Sequence, residues 1–346
     1  MSTQTVRILL VGLGNLGRRF CDLLAEKGPP VEERYGLRLL LVGAADSRGL
    51  AYDPQGLNPA LISQIKQDGG TVADYPLVGR PGQAANLVAY AEADLLCEAS
   101  PVNLQRGAEP GLTHVRLALE RGMHVVTPNK GPLVLAYQEL HNLAARQGVQ
   151  LRFDGTVAGG LPALYIGQRD LRGAVVRCIE AVPNLVTGYI LELLAEGLPW
   201  DEALERARAE GVLEADPSFD LDGWDAAAKL VILVNAVMDF PARLEDVERA
   251  GITGISGAEV LAARREGRVY KLVVTAERRA DGGVDLRVAP TPLPAEHFLA
   301  HLGRKQMGVV YHTDIYGTVM AAIDEPTPLP SAATMLRDIM DIFCGQ

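Results

Sequence analysis

The sequence predicts an α/β fold: an N-terminal doubly wound parallel sheet of the Rossmann type, followed by an α+β domain. Three observations carry this. Apolar strand-like runs alternate with amphipathic helical stretches through about residue 155, the pattern of βαβ units. A GxGxxG turn, Gly12-Leu13-Gly14-Asn15-Leu16-Gly17, separates the first run from the first helix. From residue 156 the alternation gives way to consecutive helices and paired strands.

Each element follows from local pattern. VRILLV (6–11) is a buried-type strand, and the helix after the glycine turn is expected to run to about Lys27, where Gly28-Pro29-Pro30 should end it. LRLLLVGAA (37–45) and ADLLCEAS (93–100) are further buried strands. Residues 48–75 are mixed and polar, with room for one short helix. A helix at 111–122 with its glycine stop, a strand at 123–127, a helix at 132–147 and a strand at 149–155 complete the first domain. In the second, VVRCIEAV (175–182) reads as an open-sheet strand, and helices are expected at 185–196, 200–210 and 223–239. Strands at 268–279 and 284–290 flank Asp281-Gly282-Gly283, a hairpin signal. Strands at 307–314 and 318–324 and a helix at 331–343 close the chain.

The 346 residues amount to about two domains at roughly 150 each. A composition of 48% hydrophobic and 22% charged residues is that of a globular protein and not of a disordered or fibrous one. The net charge of −10 argues against binding nucleic acid or an anionic membrane. No apolar run reaches the roughly 18 residues of a membrane helix, and the N-terminus lacks a signal peptide's features. Cys21, Cys97, Cys178 and Cys344 are widely spaced, so they read as buried thiols in a reducing compartment. The expectation is a cytoplasmic protein.

Four places carry chemistry. In the glycine turn, Gly12 permits the sharp bend, Gly14 lets a pyrophosphate approach the backbone and Gly17 lets helix and strand pack closely. The helix N-terminus then offers free N–H groups to phosphates. Asp46 ends the second strand, well past the usual spacing of about 20 residues, a delay matched by the insert 28–34. Asp46 can hold ribose hydroxyls, Arg48 can meet a 2′-phosphate, and a plain strand-end Asx turn is the competing assignment. Lys130, in Thr127-Pro128-Asn129-Lys130-Gly131-Pro132, faces the positive end of a helix dipole, which helix physics alone would not select. The sheet edge where it falls is where α/β enzymes place their sites. Finally, Glu214, Asp216, Asp220, Asp222 and Asp225 precede a helix in which Lys229 is the sole charge from Ala226 to Met238. Asp225 and Lys229 share a face at i,i+4. A lysine in so apolar a helix, beside a carboxylate, is either a tunable acid/base or an ordinary ion pair.

Read together, these segments resemble homoserine dehydrogenase over essentially the whole chain. GLGNLG, ADSRG, EASPVN (98–103), GAEPG (107–111), HVVTPNKGPL (124–133) and DGTVAGGLP (154–162) match in turn, as do PNLVTGYIL (183–191), HTDIYG (312–317) and PSAATMLRDI (330–339). LEADPSFDLDGWDAAAKLVIL (213–233) is the most specific match and the glycine turn the least.

The resemblance implies a dinucleotide-binding domain at 1–155, to which 305–346 returns, and a substrate-binding and dimerisation domain at 156–304. It implies that Gly12, Gly14, Asn15, Leu16 and Gly17 cradle the phosphates of NAD or NADP, with Ser100 near the nicotinamide ribose. Lys130 would touch cofactor and substrate. Glu214 would bind the substrate ammonium, Asp220, Asp225 and Gly159 would line the pocket, and Lys229 would transfer the proton. A sodium-type cation would sit at Asp154, Val157, Gly159 and Leu161. The implied reaction interconverts L-homoserine and L-aspartate 4-semialdehyde, toward threonine and methionine, in a homodimer of the short form without a regulatory domain. The chain departs from the family at Phe219-Asp220, where two acids are common, at Asp154, where glutamate is commoner, and at 324–330, where a glycine-rich loop is usual. A same-fold dehydrogenase for another amino-acid aldehyde or hydroxy acid, or a non-catalytic nucleotide binder, are the alternative readings.

Overall fold

The computed structural model describes residues 3–213 and 216–345. The chain divides into two units, Met1–Thr156 with Thr327–Gln346, and Val157–Pro326.

The first unit runs β1 (Gln4–Val11), α1 (Asn15–Tyr35), β2 (Leu37–Ala45), β3 (Leu50–Tyr52), α2 (Pro59–Gln67), β4 (Gly79–Arg80), α3 (Ala84–Tyr90), β5 (Leu95–Glu98), α4 (Gly111–Glu120), β6 (His124–Val126), α5 (Lys130–Gln147) and β7 (Leu151–Arg152). Its sheet has the order β4-β3-β2-β1-β5-β6-β7. The five strands from β2 to β7 are parallel, and β3 and β4 add an antiparallel edge. Ile8, Leu9, Leu10, Leu95 and Leu96 have no exposed surface, as strands covered on both faces require. The strand order reverses between β1 and β5, so their carboxyl ends form the crevice where doubly wound sheets bind ligands.

One helix is longer than its sequence implies. α1 does not stop at Lys27 but continues through Pro29 and Pro30 to Tyr35, where Gly36 caps it at φ 65°. The carbonyls freed by the two prolines belong to the exposed Ala25 and Glu26, which water can satisfy. Gly28 has no Cβ to clash with Pro29, and Val31 beyond them is buried in the core.

The second unit contains α6 (Ala163–Tyr165), which continues as a π-helical turn to Asp170, then β8 (Val176–Val182), α7 (Leu185–Ala195), α8 (Trp200–Ala209), α9 (Ser218–Leu221), α10 (Trp224–Val237), β9 (Val247–Arg249), α11 (Gly257–Arg265), β10 (Arg268–Arg278), β11 (Val284–Pro294), β12 (Gln306–Thr313) and β13 (Thr318–Asp324). Its sheet has the order β13-β12-β8-β10-β11-β9. All neighbours are antiparallel except β11 and β9. The apolar helices α7 and α10 pack on β10.

The last helix, α12 (Leu329–Cys344), belongs to the first unit, where it packs on α1 and buries Met335 and Ile339. The return expected from residue 305 therefore starts only at Thr327, because β12 and β13 complete the second unit's sheet. Cys21 and Cys97 are buried as expected, but Cys178 is half-buried and Cys344 exposed. Burial pushes the Cys178 thiol up to about 12, with Glu180 and Glu277 adding to the rise. Among the described residues no helix is long and apolar enough to cross a membrane.

Candidate active site

In the first unit the glycine turn leaves β1 and opens α1. Gly12 holds φ 90°, and a Cβ there would fall 2.3 Å from the Ala99 carbonyl. A Cβ on Gly17 would lie 1.9 Å from the Gly12 carbonyl oxygen, so helix and turn touch backbone to backbone. A Cβ on Gly14 would meet nothing, so the space before the helix is open. Gly14 caps α1 without a side chain, leaving the Asn15, Leu16 and Gly17 amides at the helix N-terminus as anion donors. This geometry fits a dinucleotide pyrophosphate.

Asp46 follows β2 and is saturated by its own surroundings. Oδ1 accepts from Arg48 N, Gly49 N and Thr71 Oγ1, each at 2.9 Å. Oδ2 accepts from Lys66 Nζ at 2.6 Å and from Val72 N at 3.1 Å. Burial alone would raise this carboxyl, but Lys66 and the other donors outweigh it and hold it below its ordinary range. Arg48 donates from Nη2 to the Gly69 and Gly70 carbonyls at 3.4 and 3.2 Å and is exposed.

At the next loop, Asn129 caps α5 by accepting from Gly131 N at 3.0 Å, which places Lys130 in the first turn. Ser100 follows β5; its N–H donates to Glu98 Oε1 at 3.1 Å and its Oγ lies 3.4 Å from Asn129 Nδ2. The ends of β1, β5 and β6 thus bring the glycine turn, Ser100 and Lys130 to one edge of the sheet.

The second unit builds its site on the entry to α10. Gly223, at φ 80°, turns α9 into α10. The turn is held from beneath: Ile252 N donates to the Leu221 carbonyl at 2.8 Å, Arg249 donates to the Asp222 carbonyl, and the Arg249 guanidinium lies 3.7 Å from the Trp224 ring centroid. Lys229 Nζ then stands 2.7 Å from Asp225 Oδ2 and donates to the Pro183 carbonyl at 2.7 Å. Both side chains are largely buried, 13% and 5% exposed. Among the described residues no acceptor takes the third N–H of Lys229. Asn184 Nδ2 lies 2.6 Å from both Asp220 Oδ1 and Asp225 Oδ2, and its Oδ1 accepts from Thr187 N at 3.0 Å to cap α7. Sequence reasoning did not single out Asn184; Asn184-x-x-Thr187 at a helix start was the available signal. Glu214 lies outside the described residues.

Gly159, at φ 59°, sits where a Cβ would be 2.0 Å from Glu325 Oε2, and the same oxygen accepts from Gly160 N at 2.8 Å. In the first unit the Asp154 carboxylate is paired with Arg337, and Asp154 N donates to Asp338 Oδ2 at 3.2 Å. In the second, the Leu161 carbonyl accepts from Ala163 N at 2.8 Å. A guanidinium thus neutralises the Asp154 carboxylate.

Comparison with known proteins covers both units. The family model for the NAD-binding domain of homoserine dehydrogenase matches residues 12–154, and the homoserine dehydrogenase model matches 162–340. The chain is 32% identical to the homoserine dehydrogenase of Methanocaldococcus jannaschii, across 97% of this chain and 98% of that one. It is also 32% identical to the NAD(+)-dependent homoserine dehydrogenase of Pseudomonas canavaninivorans, across 97% and 96%. A hyperthermophilic archaeal homoserine dehydrogenase solved in complex with NADPH superposes with a TM-score of 0.85 at 26% identity, covering 99% of each chain. On this agreement in sequence and fold, the chain belongs to the homoserine dehydrogenase family, oxidoreductases that act on a CH–OH group.

Proposed function

We propose that the protein interconverts L-homoserine and L-aspartate 4-semialdehyde with Lys229 as the proton donor and acceptor. The observation that carries this is the near-buried lysine whose ammonium is held by Asp225 and Pro183, with no further acceptor among the described residues. NAD(P), when bound, supplies or takes the hydride. As the aldehyde is reduced, negative charge grows on its oxygen, and Lys229 protonates it; Lys130, at the sheet edge of the first unit, is assigned to the cofactor. In the oxidation direction Lys229 takes the hydroxyl proton, and because the reaction releases a proton overall, that direction is favoured at alkaline pH. Asn184 keeps Asp225 aimed at Lys229, Asp220 and Gly159 line the pocket, and Glu214 takes the substrate ammonium. Lys229→Ala is expected to lower kcat for homoserine oxidation by about 10²–10⁴-fold with dinucleotide affinity unchanged. A kcat within threefold of the parent, measured by cofactor absorbance, overturns the assignment.

The glycine turn, with Gly12, Gly14, Asn15, Leu16 and Gly17, holds the dinucleotide phosphates, and Ser100 meets the nicotinamide ribose. The adenosine ribose is read by Arg48; Asp46, expected from the sequence to hold the ribose hydroxyls, has its oxygens filled by its own turn and the 66–72 stretch and acts there only through its charge. Because Lys66 neutralises Asp46, its repulsion of a 2′-phosphate is weak, and the exposed Arg48 can pair with one. Use of both NAD and NADP follows, with discrimination below about 100-fold, or roughly 2.7 kcal/mol at 1.36 kcal/mol per decade. Arg48→Ala should lower kcat/KM for NADP more than for NAD; equal losses would show that Arg48 does not read the 2′-phosphate.

Turnover is expected to be equal in sodium, potassium and choline chloride, since Arg337 supplies the positive charge at Asp154. A rate that collapses in choline would restore the cation. The second unit is assigned the homodimer contact. β13 leaves Met320 and Ala322 exposed, and Ile315 and Tyr316 are exposed in the turn before it. Light scattering should return twice the chain mass, and a monomer at micromolar concentration would refute the assignment.

A further inference from the structure

The active edge of the first unit's sheet hides an ionisable group to which the proposed reaction assigns no role. Glu98 ends β5, whose other residues Leu95, Leu96 and Cys97 are all buried and apolar, and it has no exposed surface itself. A carboxylate in such a place is costly unless it is hydrogen-bonded. Its Oε2 accepts from Asn129 Nδ2 at 3.0 Å, and its Oε1 accepts from Ser100 N at 3.1 Å and lies 3.4 Å from His114 Nδ1. The Thr127 hydroxyl donates to the Glu98 carbonyl at 2.8 Å and accepts from Asn129 N at 3.0 Å. Gly111 lets α4 close over the cluster: a Cβ there would be 2.4 Å from Asn129 Nδ2 and 3.2 Å from Glu98 Oε2.

The consequence lies in the asymmetry of an amide. Asn129 has one edge that donates and one that accepts, and the cap on α5 needs the accepting edge on Gly131 N. A carboxylate only accepts, so Glu98 compels the amide nitrogen toward itself and the oxygen toward Gly131. A neutral amide at position 98 would present its own N–H groups, and Asn129 would turn over to meet them, uncapping the helix at Lys130. We propose that Glu98 is a positioning residue that fixes the orientation of Asn129 and, through it, the first turn of α5 that carries Lys130. This rests on the reading above that assigns Lys130 to the cofactor.

The test is a swap of the hydrogen-bonding pair, read as kcat and KM for homoserine at saturating NADP and as dinucleotide affinity by fluorescence. Glu98→Gln is expected to lower kcat by about 10–100-fold, the scale of a misplacement near 1 Å. Glu98→Gln combined with Asn129→Asp restores a donor facing an acceptor and keeps the cap, so kcat should return to within threefold of the parent. A structural role alone would also be rescued by the pair, but its cost would add to that of Lys130→Ala. On a Lys130→Ala background, Glu98→Gln should cost no further kcat, because the two act through one group. If Lys130→Ala itself leaves kcat unchanged, the reading of Lys130 fails; if Lys130→Ala lowers kcat and Glu98→Gln does not, the positioning role of Glu98 fails. Failure of the double variant to recover also overturns it. Should Glu98→Gln not fold, Asn129→Ser, which keeps a capping oxygen but drops the amide donor, is expected to lose kcat to the same degree, and an unchanged kcat would overturn the inference.

Discussion

A carboxylate removed from water must have its oxygens hydrogen-bonded or carry a large free-energy penalty, and each unit of this protein is organised around such a group. In the first it is Glu98, whose partners come from the loops after β5 and β6 and from α4. In the second it is Asp225, held by Lys229 from one helical turn along and by Asn184 from the start of α7. Because the donors lie on different segments, satisfying the charge fixes those segments against one another. In both cases an asparagine is the go-between: its amide nitrogen serves the acid and its oxygen caps a helix. The same device therefore sets a helix N-terminus and a buried acidic side chain in a single step.

Asp46 shows the same constraint carried to completion. Five donors fill its oxygens, two from its own Asx turn and three from the 66–72 stretch that folds over it. The result stiffens the loop expected at the adenosine ribose and leaves the nearby positive charge on Arg48. Discrimination between dinucleotides then depends less on a lone acid than on how that acid is neutralised.

Much of this was legible in the chain. The parallel strands, the glycine turn, the Asp225–Lys229 pair and the hairpin at 281–283 all declare themselves by periodicity or by local stereochemistry. What stayed hidden depended on distant partners. α1 runs past two prolines because Val31 finds the core and the freed carbonyls belong to exposed residues, neither of which is a local signal. The short strands β3, β4 and β9 exist only as additions to sheet edges, too brief to show a period. Asn184 looked like any helix cap until Asp220 and Asp225 came to its other side, and Arg337 gave no sequence hint that its partner would be Asp154. Glu98 was visible as an acid in an apolar strand, yet its partners arise from residues 100, 114 and 129.

The split composition of the first unit has a bearing on how the protein is made. Its core is finished by Met335 and Ile339 on α12, which follow the whole of the second unit in the chain. During synthesis the nascent β1–β7 sheet must wait, with the flank of α1 uncovered, while about 170 intervening residues emerge and form their own sheet. At the roughly 5–20 residues per second of translation, that interval is on the order of ten seconds or more. The second unit thus has time to fold by itself, whereas the nucleotide-binding unit closes only when the final helix leaves the ribosome.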